Sequence, residues 1–153
     1  MRAINNKLVV RQLDRKIGSL GQLASYSSPQ GWIHSLRTTL NMSLKQLGNR
    51  MGMTPQSVRD IEQREKEGTL TLNTLKHAAN ALDMHLVYGL IPKDGTLEQM
   101  IERKAREMAT VIVKRTSTTM RLEDQENSEE RIQEAINELA YDIQKEMPKK
   151  LWD

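Results

Sequence analysis

Residues 43–63 read SLKQLGNRMGMTPQSVRDIEQ. Ser43 is a good helix N-cap, because its hydroxyl can accept a bond from a first-turn amide. Leu44, Leu47 and Met51 follow at helical spacing. Gly52 ends that run where a left-handed backbone is easiest. A second helix opens at Thr54, with Pro55 at its first position, where the missing N–H loses no bond. Val58 and Ile61 face the first helix, and Gly48 is small where the two helices cross closely. The stretch predicts two helices of about eight residues each, joined by a tight turn.

Working outward, residues 32–82 hold four short helical patterns. Trp32, Ile33, Leu36 and Leu40 form the first, and Leu72, Leu75, Ala78, Ala79 and Leu82 the fourth. Together with the Ser43 cap, the Thr54–Pro55 start and the Gly48–Gly52–Val58–Ile61 spacing, this resembles the Cro/repressor-type helix-turn-helix family. The resemblance covers about Trp32 to Leu82 and implies a five-helix core, with the first and fourth patterns as scaffold.

It also implies double-stranded DNA as a partner. The helix from Thr54 would enter the major groove with its N-terminal end toward the bases. Gln56 would pair with adenine, and Arg59 with guanine or phosphate. Ser57 would meet a base edge or phosphate. Ser43 and Thr54, with the free amides behind them, suit phosphates. Gln46, Arg50 and Arg64 are further backbone candidates. Asp60 must meet a cytosine amino group or pair with Arg59 or Arg64. The run Gln63 to Gly68 is longer than the usual turn of the family. Such regulators commonly dimerise, which would set half-sites about 34 Å apart.

Around this segment the chain divides into a basic N-terminal helix and linker (1–31), the helix-turn-helix region with a short strand (32–92), and a C-terminal helical region with an acidic end (93–153). Val9, Leu13, Ile17 and Leu20 make a helical stripe, and Lys7, Arg11 and Arg15 a basic ridge on another face. That ridge is either a DNA clamp or a solvated face. Leu86 to Pro92 is short, apolar and β-prone, and reads as a single strand. A lone strand needs a partner, either its twin in a homodimer or another segment of the chain. Leu97, Ile101, Ala105, Met108 and Ile112 form the next stripe. Ser128 then caps a final helix with Ile132, Ile136, Leu139, Ile143 and Met147 on its buried face, and Pro148 ends it.

Charge is uneven. Residues 1–31 carry five Lys and Arg against one acid, whereas residues 123–153 carry four against ten. The basic body is either a polyanion-binding surface or ordinary surface charge, and the acidic end either a solvated helix or a dock for a basic partner.

Over nearly its full length the chain resembles the mobile mystery protein A family. The matching features are Gln12–Leu13–Asp14–Arg15, Gly31–Trp32–Ile33, the helix-turn-helix, Gly68–Thr69 leading to Thr71–Leu72, Leu86–Val87–Tyr88 through Leu90–Ile91–Pro92, and Leu151–Trp152. The resemblance implies an antitoxin-like regulator paired with a Fic-domain protein. Some Fic inhibitors carry Ser/Thr, then Glu four residues on, then Gly or Asn; Thr119, Glu123 and Asp124 come near that pattern, with Asp124 departing from it. Trp152 is either part of a toxin dock or an amphipathic anchor for the last helix.

Other functions are excluded or unsupported. The chain has no cysteine, so no disulfide frame, thiolate zinc site or Cys nucleophile is available. His34, His77 and His85 share no ligand spacing, and no Gly-rich phosphate loop occurs. Aromatics are 3% with no Phe, which disfavours stacking on single strands and leaves Leu, Ile, Val, Met and Ala to build a helical core. No apolar run is long enough to span a bilayer, and no secretory signal is evident. The expectation is a mainly α, cytoplasmic, non-enzymatic protein that needs no cofactor and contacts no membrane.

Overall fold

Helix starts follow the capping chemistry of the sequence. The computed structural model describes the backbone of residues 2–122 and 128–153 and the side chains of residues 6–119 and 128–153. The α-helices are α1 (Arg2–Gly18), α2 (Trp32–Thr39), α3 (Leu44–Met51), α4 (Pro55–Glu67), α5 (Leu72–Ala81), α6 (Leu97–Leu122) and α7 (Glu129–Glu146), with 3-10 turns at Gly21–Ser25 and Lys149–Trp152. Ser43, Thr54, Thr71 and Ser128 each accept a bond from an amide in the first turn of the helix that follows. The chain forms two compact units, residues 24–89 and residues 1–23 with 90–153.

The 24–89 unit is a four-helix core of α2 to α5. Ile33, Leu47, Met51, Val58, Ile61, Ala78 and Leu82 are its buried centre. Leu47 and Val58 are wholly enclosed, each worth about 1.5–3 kcal/mol of burial. Glu65 of α4 reaches the start of α2, where its two oxygens accept the amides of Trp32 and Ile33 at 2.9 Å. The α2 N-cap is Gly31, which has no side chain to offer. A Cβ there would lie 2.9 Å from Glu65 Oε2, and its φ of 86° already favours glycine.

The other unit packs α6 against α7 through Ile101, Ala105, Ala109, Ile136 and Ile143. Ala105 and Ala109 are fully buried one turn apart, and their small size lets the helices approach. Leu151 of the final 3-10 turn closes this core, while Trp152 stays about half exposed. Asp14 of α1 caps α6 by accepting from Leu97 N at 2.7 Å and Glu98 N at 3.3 Å. Val10 packs on the same core. The stripe expected on α1 is therefore rotated: Val9 and Leu13 are exposed and Val10 turns inward. The free amides of α6 select the face that carries Asp14.

Two expectations about the fold fail. The core of the first unit holds four α-helices rather than five. No strand forms at Leu86 to Pro92 or elsewhere among the described residues. Val87, Tyr88 and Leu90 are 68%, 71% and 89% exposed. The run has strand-like composition, but no second extended segment in the described chain offers the backbone partners a ladder requires.

Candidate nucleic-acid interface

The α3–turn–α4 segment is built as the capping pattern anticipates. Ser43 Oγ accepts from Gln46 N at 3.1 Å, and Gln46 Oε1 accepts from Ser43 N at 2.8 Å, a reciprocal capping box. Gly52 closes α3 at φ 69° and ψ 34°, and Met53 N donates to Gly48 O at 2.9 Å. The turn passes so near α3 that a Cβ on Gly48 would lie 2.6 Å from the Met53 carbonyl oxygen. Thr54 then caps α4, with its hydroxyl 2.9 Å from Ser57 Oγ and accepting from Ser57 N at 3.1 Å.

α4 runs to Glu67, so most of the Gln63 to Gly68 run continues the helix. Gly68 ends it in a left-handed conformation. The reason is tertiary. The added turn carries Glu65, which lies three residues beyond Glu62 on the same face, and both bind α2.

Glu62 meets Arg37 in a buried fork, with Arg37 Nε to Oε1 at 2.5 Å and Nη2 to Oε2 at 3.1 Å. Arg37 Nη1 also donates to Met42 O at 2.9 Å. His34 Nδ1 lies 3.0 Å from Glu62 Oε2. Burial pushes the Glu62 carboxyl up, but the bonds from Arg37 and His34 outweigh it and hold it below the usual glutamate range. Arg37 is raised, chiefly by its bond to Glu62. These links fix the angle at which α4 stands on its scaffold.

The opposite side of α4 is polar and exposed. Gln56, Arg59, Asp60 and Gln63 lie along it. Gln56 Nε2 donates to Asp60 Oδ1 at 3.1 Å. Asp60 thus takes the Gln56 amide rather than an Arg59 or Arg64 guanidinium. That bond uses one of the two amide N–H groups and leaves the other, with Oε1, for a base edge. Arg59 has no hydrogen-bond or ion-pair partner among the described residues and is free to reach outward. Arg64 turns to the end of its own helix, with Nη2 3.5 Å from Thr69 O. Arg50 is tied to Ala81 O at 3.1 Å and Asp83 Oδ2 at 3.3 Å. The exposed set thus brings Ser43, Gln46, Thr54, Gln56, Arg59 and Asp60 onto two helix starts and the face behind the second, with Ser57 partly exposed beside them. Arg50 and Arg64 are exposed as well, each with a contact to a backbone carbonyl.

Glu62, Glu65 and Arg37 carry no mark in a helical-periodicity reading. Acids at positions 62 and 65 look like ordinary surface charge until their partner helix is known. Lys45, exposed in the first turn of α3 beside Ser43 and Gln46, also escapes that reading. Its signal was available: a cation next to a capping serine at a helix start suits a phosphate. His77 Nε2 lies 3.1 Å from Met51 O and ties α5 to the end of α3.

Residues 33–88 match the family model described as helix-turn-helix. By that match the segment is similar to helix-turn-helix domains, a DNA-binding class. No curated protein and no solved structure matches the chain. No described helix is long and apolar enough to cross a membrane. Of the Fic-inhibitor-like residues, Glu123 and Asp124 lie outside the described residues. The Thr119 hydroxyl donates to Arg115 O at 3.0 Å.

Proposed function

We propose that the chain is a sequence-specific, dimeric, cytoplasmic transcriptional regulator that represses its own promoter. The observation that carries this reading is the exposed face of α4, held by a capped, glycine-tight turn in a segment matching the helix-turn-helix family. Thr54 and the α4 start meet a phosphate, Gln56 and Arg59 read base edges, and Ser43, Lys45 and Gln46 hold the backbone at the α3 start. The test is a mobility shift on the chain's own upstream DNA across a salt series. A specific complex whose affinity falls steeply with salt supports the reading. Equal binding to random DNA overturns it.

A second reading adds an antitoxin role toward a Fic-domain partner, as the mobile mystery protein A resemblance implies. What favours it is α7, whose Glu130, Glu134, Glu138 and Asp142 are exposed and pair with no basic group among the described residues. Ile136, Ile143 and Leu151 are core, so removing residues 123–153 would unfold the unit. Reversing charge at Glu134 and Glu138 is the cleaner probe. Loss of capture of the neighbouring gene's product, with DNA binding retained, supports a dock on α7. Unchanged capture removes α7 from it.

A further inference from the structure

A groove where α1, α6 and α7 meet combines an apolar floor with a cationic rim. Val10, Ile101 and Met147 line the floor, the exposed Tyr141 stands beside them, and the cavity is about 190 Å³. That exceeds the ~150 Å³ that admits a benzene-sized guest. Lys7, Arg11 and Lys145 stand at the rim. None of the three forms an ion pair with any described residue. Glu98 is the one acid in the lining, so three cations face one acid and the lining keeps an excess of positive charge.

This arrangement has a cost, because no ion pair among the described residues holds these cations. Lys7 and Arg11 are like charges one helical turn apart, which disfavours α1. The apolar floor beside them stays open to water. An occupant that carries both an apolar body and a negative charge relieves both. A polyanion such as DNA would meet the cations and leave the floor uncovered. An apolar segment would cover the floor and leave the cations unpaired.

We propose that the groove binds a small organic monoanion, an aromatic or branched apolar body ending in one carboxylate. The body lies on Val10, Ile101 and Met147, and the carboxylate takes charge-assisted bonds from Lys7, Arg11 and Lys145. The site stands whether or not α4 reads DNA.

The test is a titration of the methyl-labelled full chain with sodium benzoate, followed by NMR, with benzyl alcohol and benzylamine as controls. Benzoate is expected to shift the Val10, Ile101 and Met147 methyl signals saturably, and benzylamine to leave them in place. Arg11→Gln and Lys145→Gln, at exposed and unpaired positions, are each expected to weaken binding by about tenfold. No shift with benzoate overturns the proposal. So do equal shifts with all three compounds, or unchanged affinity in both variants.

Discussion

At the scale of single residues, two positions in residues 43–63 carry separable duties. Gly48 is there for space: its missing Cβ leaves room for the Met53 carbonyl, which a methyl would approach to 2.6 Å. Because that neighbour is backbone, it cannot swing aside. Gly48→Ala is expected to cost about 1–3 kcal/mol, read as a lowered midpoint in urea. An unchanged midpoint would show that the turn can shift freely. Arg59 is there for reach, since nothing in the described chain holds its guanidinium. Arg59→Ala is expected to leave the urea midpoint in place and to weaken specific DNA binding by about 1–3 kcal/mol. A loss equal for specific and random DNA would reassign it from base to phosphate.

Between elements, carboxylates do the joining. Glu65 caps α2 from α4, and Asp14 caps α6 from α1. Each places negative charge on the positive end of a helix dipole while satisfying two amides. Glu65→Ala is expected to lower stability by about 1 kcal/mol and to speed amide exchange at Trp32 and Ile33. Glu62 adds a pH dependence. Its folded carboxyl lies below the usual glutamate range, so its stabilisation is present above that range and is lost as pH falls through the lower folded value. In acid titrations followed by unfolding, Glu62→Gln is expected to start less stable at neutral pH and to lose less on acidification below the usual glutamate range. A parallel decline in both proteins would remove Glu62 from the acid response.

For the whole molecule, the chain's two ends belong to one unit: α1 and the C-terminal helices share a core, and residues 24–89 carry their own. Deleting residues 1–23 removes Val10 from the α6–α7 core and Asp14 from the α6 start. The deletion is expected to lower the unfolding midpoint of that unit and leave the midpoint of the helix-turn-helix unit unchanged. Circular dichroism with tryptophan fluorescence at Trp32 and Trp152 separates the two, because one tryptophan lies in each unit. A shift of both midpoints together would mean that the units unfold as one.

The sequence alone determined what local chemistry can specify. Ser43, Thr54, Thr71 and Ser128 announce four helix starts because capping is read from the residue and the amides next to it. Gly48 and Gly52 announce the tight turn because sterics there act over a few residues. Other features depended on neighbours distant in sequence. The 86–92 run has strand composition, but a strand exists only where a second backbone offers its bonds, and none does among the described residues. The face of α1 that turns inward was decided by the amides of α6, more than eighty residues away. The length of α4, and the burial of Arg37 with Glu62, were decided by where α2 lies. Periodicity gives each helix a face; the tertiary structure decides which face meets a partner, because burial and pairing belong to two elements at once.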